Sequence, residues 1–411
     1  MQTFELKKML LKRDIELAYH AQQEQVELRH GVIERQFMRS FSSTGNHIEV
    51  ISGIRRCGKS TLMKQLIQSG YQTTAYFNFE DARVYGFEVN DFPRLDEVIG
   101  KNIGAYFFDE IQNVPDWEIF IRQLHERNEK IFITGSNATL LSKELGTRLT
   151  GRHILHELFP FSYEEFLAFK KIENNVESFK LFLVQGGFPE YLESLKIEVL
   201  QNLLKDIVFR DIAIRHSFKN TNSLMEICLY LLSNIGKEVS FNSLRKTFSI
   251  GSTNTVSDYL SGFADSYLLF FLPRFSWSAK GIYSNPRKVY AIDNGLANTN
   301  TLSFSADRGR LLENAVYQYL RRQRNDLFYF RENRECDFVV FTQKKCRQVI
   351  QVCEVLDQNN LKREVEGLQE ALKFFNMVEG FILTLAQNDS LKVEGLSIKV
   401  MPAHEFFAAG L

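Results

Sequence analysis

Residues 53–60 form a glycine-rich stretch whose residue types and spacing could hold a chain of phosphates. They read Gly-Ile-Arg-Arg-Cys-Gly-Lys-Ser, a full match to the P-loop pattern G-x-x-x-x-G-K-S/T. Glycines in such a loop let successive backbone N–H groups turn toward a phosphate, and a following helix adds the partial positive charge of its N-terminus. We therefore predict a nucleotide site that includes Gly53, Ile54, Arg55, Arg56, Cys57, Gly58, Lys59, Ser60 and Thr61.

The flanking residues predict the strand and the helix that this loop needs. The apolar run at residues 48–51 precedes the loop and predicts a strand, and residues 61–67 predict a helix. In that setting Lys59 would reach the β- and γ-phosphates of a nucleotide, and Ser60 would place its hydroxyl on Mg²⁺. The alternative is a glycine-containing turn before an ordinary helix, and the downstream carboxylates argue against it.

Two carboxylates end a second apolar run. Residues 105–108 read Ala-Tyr-Phe-Phe and predict a buried strand of a parallel sheet, and Asp109 and Glu110 follow. Because ligands of such sheets bind at the carboxyl ends of the strands, both acids would lie at the nucleotide. We predict that Asp109 holds Mg²⁺ and that Glu110 is the general base for the attacking water. An isolated acidic pair at a strand end is usually solvated, but the complete P-loop upstream favours the functional interpretation.

Polar and arginine side chains after a third apolar run are further catalytic candidates. Residues 131–134 predict a strand, and Ser136 or Asn137 at its end could sense the γ-phosphate. Either residue would serve equally well as the N-cap of a following helix. Arg148 or Arg152 could be an arginine finger, in cis or, within a homo-oligomer, in trans, and a surface arginine beside an acid is the alternative. We assign Asn137 and Arg152 as catalytic residues.

Composition argues against several classes of protein. The 411 residues are enough for about two to three domains, and 50 basic residues balance 50 acidic ones, so a strongly basic surface for nucleic acid is not expected. The five cysteines are scattered without a C-x-x-C pair, which argues against a disulfide framework or a zinc site and favours a cytoplasmic protein. We find no signal-peptide pattern and no apolar run of about 18 residues, so no membrane association is expected.

Residues 222–275 show three helical patterns followed by a strand pattern. Ser252 is a candidate cap for the third pattern, residues 253–264, and this order is the layout of a winged helix. In a DNA reader the third helix would enter the major groove, but its early residues carry no positive charge, so DNA and protein partners both stay open. The nearby cations that could contact phosphates are Arg245, Lys246, Arg274, Lys280 and Arg287.

The last third of the chain, residues 291–411, resembles the PD-(D/E)XK nuclease fold in its order of elements and acids. Glu313 lies in a predicted helix, Asp337 begins a predicted strand, and a second strand carries Gln351 and Cys353 where the nuclease pattern has an acid and a lysine. Gln is a poor Mg²⁺ ligand, and Cys supplies no fixed positive charge. We predict a nuclease-like domain that has lost cleavage. An active nuclease and a plain α/β domain with scattered acids are the alternatives.

Together these stretches resemble a family of AAA-type P-loop ATPases of bacteria and archaea whose carboxyl-terminal half is poorly characterised. The resemblance covers most of the chain and includes ISGIRRCGKSTL, FFDEIQNVPDWE, FITGSNATLL, GGFPEYL, DIVFRDI and KVYAIDNGL. It implies ATP rather than GTP as the nucleotide. It also implies that the Walker A lysine, the Walker B acids, the strand-tip polar residue and the Gly-Arg arginine are Lys59, Asp109, Glu110, Ser136 or Asn137, and Arg152.

The predicted fold class is α/β, with an AAA-like P-loop NTPase sheet core, a helical lid, a winged helix and a nuclease-like α/β domain. Ser162 followed by Glu165 is a capping box that opens the first lid helix. The predicted domains are residues 1–160, 161–220, 221–290 and 291–411. The predicted function is Mg²⁺-dependent ATP hydrolysis coupled to a DNA- or protein-interaction module in residues 221–411. A nucleotide-gated binding module with slow hydrolysis and an ATP-dependent nuclease are the alternatives.

Overall fold

The chain divides into two units, residues 1–158 and 159–411. A computed structural model describes residues 10–26, 32–42, 45–136, 151–302, 307–323 and 326–410. Within these ranges, no helix combines the length and the apolar composition that a membrane span requires.

The apolar runs of the first unit form a five-stranded parallel sheet. Its strands are β1 (Ile48–Ser52), β2 (Thr74–Asn78), β3 (Ala105–Asp109), β4 (Ile131–Gly135) and β5 (His153–Glu157). They are ordered β2-β3-β4-β1-β5 across the sheet. Strands β1, β3 and β4 are buried along their whole length, as expected for a parallel sheet that is covered on both faces. The three strands predicted from these runs are therefore present.

Helices pack against this sheet. They are α1 (Lys12–Glu24), α2 (Gln36–Ser40), α3 (Lys59–Gln68), α4 (Phe92–Ile99) and α5 (Glu118–Glu126). Helix α1 buries Ile15, Ala18 and Tyr19 in the same apolar cluster as Phe77 and Phe108. Burying a large apolar side chain contributes roughly 1.5–3 kcal/mol, so this helix is an integral part of the first unit.

The second unit begins with four helices and a π-helical segment. They are α6 (Tyr163–Lys170), α7 (Val176–Gln185), α8 (Pro189–Ser194), α9 (Ile197–Asp206) and the π-helical residues Ile207–Ile214. The predicted capping box is present, because Ser162 Oγ accepts from the Glu165 N–H and the Glu165 carboxylate accepts from the Ser162 N–H.

Four helices and a small antiparallel sheet follow. The elements are α10 (Thr221–Leu232), β6 (Glu238–Val239), α11 (Phe241–Thr247), α12 (Thr253–Asp265), β7 (Leu269–Pro273), α13 (Ala279–Ser284) and β8 (Arg287–Ala291). The strand order is β6-β8-β7. Ser252 caps α12 by accepting from the Thr255 N–H at 3.1 Å, as the sequence predicts.

A six-stranded mixed sheet completes the second unit. Its elements are α14 (Asn294–Asn300), α15 (Arg308–Arg322), β9 (Asp326–Arg331), β10 (Glu335–Thr342), β11 (Lys345–Val352), α16 (Leu361–Phe374), β12 (Glu379–Thr384), β13 (Asp389–Val393), β14 (Leu396–Pro402) and α17 (Ala403–Ala409). The strand order is β13-β14-β12-β11-β10-β9. An apolar cluster that includes Val339, Leu368 and Ile382 joins α16 to this sheet.

Candidate nucleotide site

The loop between β1 and α3 contains two positions that favour glycine. Gly58 has φ +102°, in the left-handed region. At Gly53 a Cβ atom would lie 2.1 Å from the Leu158 carbonyl oxygen. The approach is this close because the Leu158 N–H donates to Ser52 O at 2.7 Å and continues the β1–β5 pairing up to the loop. Both glycines of the sequence pattern are therefore required by local geometry.

Lys59 lies at the first position of α3, and its ammonium is turned onto the loop. Its Nζ donates to Gly53 O at 3.1 Å and to Ile54 O at 3.2 Å, and it lies 3.4 Å from Glu110 Oε1. Burial by itself lowers the pKa of Lys59, but the charge of Glu110 raises it, and the net pKa is above the ordinary value. Lys59 is therefore a buried, fully charged cation at the loop.

Asp109 ends β3 and is fully buried. Its Oδ2 accepts a hydrogen bond from the Tyr76 hydroxyl at 2.8 Å, and its Oδ1 accepts one from the Thr134 hydroxyl. The Asp109 carboxylate is also hydrogen-bonded to the Ser60 side chain. Burial, together with the charge of Glu110, raises the pKa of Asp109. A carboxylate beside a hydroxyl is a set of hard oxygen donors, so these residues fit Mg²⁺.

Glu110 follows β3 with φ +52°, a left-handed conformation that costs a non-glycine residue of order 1 kcal/mol. Its N–H donates to Thr134 Oγ1 at 2.9 Å, and its carboxylate accepts from the Gln112 side chain. Burial raises the pKa of Glu110, but the Lys59 ammonium, the Gln112 hydrogen bond and the Arg55 charge together outweigh burial, and the net pKa lies below the ordinary value. Glu110 is therefore ionised and able to accept a proton.

The strand-tip residues are described only in part. Ser136 is buried, and its Oγ lies 3.5 Å from Gln112 Nε2, so it borders the same cluster as Glu110. Asn137 and Arg148 lie outside the described residues.

Arg152 lies just before the first residue of β5, at the opposite end of the strands from Lys59. Strand β5 runs parallel to β1 with His153 opposite Ile48, and the Arg152 carbonyl accepts from the Ile48 N–H at 2.9 Å. The P-loop follows the far end of β1, about 13 Å away at about 3.3 Å per residue. The Arg152 guanidinium is 4.0 Å from Glu126 Oε1. The structure therefore does not bring Arg152 to the nucleotide site of its own chain.

The other predicted loop residues make different contacts. Arg55 donates to Glu80 Oε1 at 3.1 Å, and Arg56 has φ +62°. Cys57 is buried, its thiol donates to Leu158 O at 3.4 Å, and burial raises the pKa of that thiol. Thr61 lies in the first turn of α3.

Several site residues were not predicted from the sequence. Tyr76 and Thr134, on the two strands beside β3, both donate to Asp109. Their only signal in the sequence was a hydroxyl side chain within a strand. Arg35 is buried and donates to Cys57 O in the loop at 2.8 Å. We find no sequence signal for Arg35, because its contact depends on how the N-terminal segment packs.

The acids predicted in the second unit also come together. Lys288, which the sequence did not predict, places Nζ 2.7 Å from Asp337 Oδ1 and 3.1 Å from Glu313 Oε1. Gln351 accepts from the Asp337 N–H at 3.3 Å. Cys353 lies in an apolar cluster, and burial raises its pKa to about 12. In the described part of the chain, no group of three or more His, Cys, Asp or Glu side chains is arranged to hold a metal.

Two family models match different parts of the chain. Residues 45–167 match the model of an AAA domain family, and residues 176–308 match that of a domain of unknown function (DUF8612). The Aeropyrum pernix ORC1 protein, solved in complex with DNA, matches 71% of this chain and 92% of its own, with 13% identity and a TM-score of 0.29. A likeness this weak supports no conclusion about fold or partner.

Two relatives match most of the chain. The uncharacterized protein MJ1544 of Methanocaldococcus jannaschii is 36% identical over 372 residues, which cover 84% of this chain and 83% of that protein. An uncharacterized protein of Haemophilus influenzae is 29% identical over 374 residues, which cover 85% of this chain and 92% of its own. With its α/β parallel-sheet core and AAA domain, the chain belongs to the same family as the uncharacterized M. jannaschii protein.

Proposed function

We propose that this protein binds ATP with Mg²⁺ and hydrolyses it. The observation that carries this proposal is the convergence of Lys59, Ser60, Asp109 and Glu110 at the carboxyl edge of one parallel sheet. Lys59 would bind the β- and γ-phosphates, and Ser60 and Asp109 would hold Mg²⁺. When bound, that ion neutralises charge on the phosphates and orients them.

Glu110 is the general base in this proposal. In the described state its carboxylate faces Lys59 at 3.4 Å. Phosphate oxygens are stronger acceptors than the two backbone carbonyls that Lys59 contacts now, so a nucleotide would draw the ammonium away from Glu110. Losing that neighbouring charge raises the pKa of a buried carboxylate, which makes it a better base. Nucleotide binding would thus activate the residue that must accept the proton from water.

Replacing Glu110 by Gln tests the proposal. Glu110→Gln keeps the shape of the side chain and removes the base, so ATP turnover should fall by about 10²–10⁴-fold while ATP binding persists. Turnover is measured as phosphate release with saturating Mg²⁺ and ATP. Glu97→Gln, at a side chain that is 64% exposed, is the matched control and should hydrolyse like the wild type. Unchanged turnover in Glu110→Gln would remove Glu110 from this role.

A second candidate function is a nucleotide-gated binding module with slow hydrolysis. The observation that favours it is that Glu110 is engaged by both Lys59 and Gln112. If those contacts persist with nucleotide bound, the base stays masked and ATP acts as a switch. ATP binding that depends on Lys59, without turnover in the presence of DNA or a protein partner, would support this function over the first.

We propose a winged helix at residues 221–290, as the part that binds DNA or a protein partner. Its support is the order of helices α10, α11 and α12 followed by the antiparallel pair β7 and β8. Arg245 and Lys246 lie in the last turn of α11. If they contact phosphates, Arg245→Ala with Lys246→Ala should weaken duplex binding and reduce its salt dependence, as measured by fluorescence anisotropy. Binding that is absent or insensitive to salt would favour a protein partner.

Arg152 remains a proposed arginine finger only between copies of the chain. The two inactive variants Arg152→Ala and Glu110→Gln would complement each other on mixing if one copy supplies the arginine to the other. Mixed samples that hydrolyse no more ATP than either variant alone would rule out this arrangement.

We propose that residues 291–411 are nuclease-like without cleavage activity. The support is that Glu313 and Asp337 meet while Gln351 takes the place of the third acid. Incubation with plasmid and linear DNA in Mg²⁺ or Mn²⁺ should yield no cleavage. Metal-dependent cleavage that Asp337→Asn abolishes would overturn this assignment.

A further inference from the structure

Strand β8 places a lysine at the centre of a carboxylate cluster in the second unit. Lys288 is buried, and its Nζ lies 2.7 Å from Asp337 Oδ1, 2.8 Å from Glu335 Oε1 and 3.1 Å from Glu313 Oε1. The ammonium donates hydrogen bonds to Asp337 and Glu313, and it forms an ion pair with Glu335. The lysine therefore has three anionic partners inside the cluster.

The carboxylates are oriented by further donors around them. Asp337 Oδ2 accepts from the Val352 N–H at 2.9 Å, and Glu313 Oε1 accepts from the Tyr290 hydroxyl at 2.6 Å. Gln351 Oε1 accepts from the Asp337 N–H and fixes the start of that strand. Oxygens held by an outer layer of donors around one central charge are the arrangement that tightly bound cations use in proteins.

We propose that the Lys288 ammonium is the resident cation of the cluster formed by Glu313, Glu335 and Asp337, and that it excludes divalent metal ions from this position. A metal ion and the ammonium need the same oxygens, and the space between them holds only one of the two. The ammonium cannot diffuse away as a free ion can, because its side chain is attached to β8, and it is buried against the carboxylates. The cluster is thus a metal-independent centre while Lys288 is present.

The cluster also connects three elements of the second unit. Lys288 belongs to the small antiparallel sheet, Glu313 to α15, and Asp337 to β10 of the six-stranded sheet. The cluster borders an open cavity of about 450 Å³, and Glu313, Glu335 and Asp337 are part of its lining. A soluble cation could therefore reach the carboxylates if Lys288 did not hold the position.

Terbium luminescence tests this proposal without nucleotide, and its outcome does not depend on the proposed ATPase activity. Tyr290 is hydrogen-bonded to Glu313 and would sensitise the luminescence of Tb³⁺ bound in this cluster. Tyr76 is bonded to Asp109 in the same way, so the experiment uses an Asp109→Asn background to silence the first unit. In that background, adding Asp337→Asn should leave the Tb³⁺ titration unchanged, because the cluster binds no metal while Lys288 is present.

Replacing Lys288 should then create a metal site. Lys288→Met keeps a long unbranched side chain and removes the charge, and it should gain a Tb³⁺ signal with at least about 10-fold higher affinity, which Asp337→Asn abolishes. Ca²⁺ should raise the melting temperature of Lys288→Met and not that of its parent. Lys288→Arg, which keeps a cation in place, is the matched control and should gain no site.

Two results would overturn the proposal. One is a Tb³⁺ signal that depends on Asp337 while Lys288 is present, which shows that metal and lysine coexist. The other is a folded Lys288→Met protein that gains no metal site, which shows that the carboxylates do not define a cation position. The first comparison needs no substitution at Lys288, so it decides the question even if Lys288→Met does not fold.

Discussion

Each unit of the chain contains a buried lysine that faces carboxylates, but the two lysines differ in what else they contact. In the first unit, Lys59 contacts one carboxylate and two backbone carbonyls of a loop. In the second, Lys288 contacts three carboxylates and lies in a strand paired on both sides. The first ammonium can exchange weak acceptors for phosphate oxygens, whereas the second has no stronger partner to gain.

This difference shows why similar residues support different functions. Neutral carbonyls are modest acceptors that an anion can replace, whereas three carboxylates hold an ammonium electrostatically and depend on it for neutralisation. The first arrangement suits a site that binds and releases a ligand. The second suits a permanent connection between elements of the fold.

The largest expected effect is a difference in stability between substitutions of the two lysines. Lys288→Met leaves three carboxylates without their cation, two of them largely buried, so the free energy of unfolding of the second unit should fall by about 3–5 kcal/mol. Lys59→Met leaves one partly buried carboxylate that keeps Gln112 as a donor, and it should cost about 1–2 kcal/mol while abolishing ATP hydrolysis. Denaturant unfolding and phosphate release measure the two effects. Equal destabilisation by the two substitutions would contradict the comparison.

A pH effect of intermediate size is expected from the second unit. Asp293 is buried and accepts from the Gly187 N–H at 2.6 Å and the Leu296 N–H at 2.9 Å, and burial raises its pKa to about 6. A carboxyl whose pKa is higher in the folded state stabilises the fold while it is protonated. Its contribution to the free energy of unfolding is therefore lost as pH rises from about 4 to 6, by roughly 3 kcal/mol in total.

Asp293→Asn should remove that slope. The difference in free energy of unfolding between the wild type and Asp293→Asn is measured at pH 4 and pH 6, and the wild type should lose stability relative to the variant as pH rises. A difference that stays constant over this range would show that Asp293 does not titrate there.

The smallest expected effect probes how Asp109 is held. Tyr76→Phe removes the hydroxyl that donates to Asp109 at 2.8 Å, and loss of such an outer donor typically weakens metal binding by about 10-fold or more. The Mg²⁺ concentration that gives half-maximal ATP turnover should rise accordingly, with little change in the maximal rate. Tyr106→Phe, at a buried tyrosine on the same sheet, is the matched control and should leave the Mg²⁺ requirement unchanged. An equal Mg²⁺ requirement in the two variants would show that the Tyr76 hydroxyl is unimportant.

The parts of the site that were predictable are those that depend on neighbours in sequence. The P-loop, its helix and the acids after β3 follow from local patterns, and they lie together because parallel strands end at one edge of a sheet. The placement of Arg152 could not be derived in this way. It depends on the register of β5 against β1, which puts His153 beside Ile48.

Contacts between distant segments were the parts that the sequence could not reveal. Lys288 lies 25 residues from Glu313 and 49 from Asp337, and Arg35 lies 22 residues from Cys57. None of these pairs belongs to one helix or one hairpin, so no periodicity connects them. Gln351 and Cys353 showed that the nuclease pattern was incomplete, but not that a lysine from another strand supplies a cation.

The most direct test of the comparison is the number of Mn²⁺ ions bound per chain, counted by electron paramagnetic resonance with a non-hydrolysable ATP analogue present. We expect one tightly bound ion in the wild type, lost in Asp109→Asn and retained in Asp337→Asn. A second tight ion that Asp337→Asn removes, or one ion that survives Asp109→Asn, would contradict it.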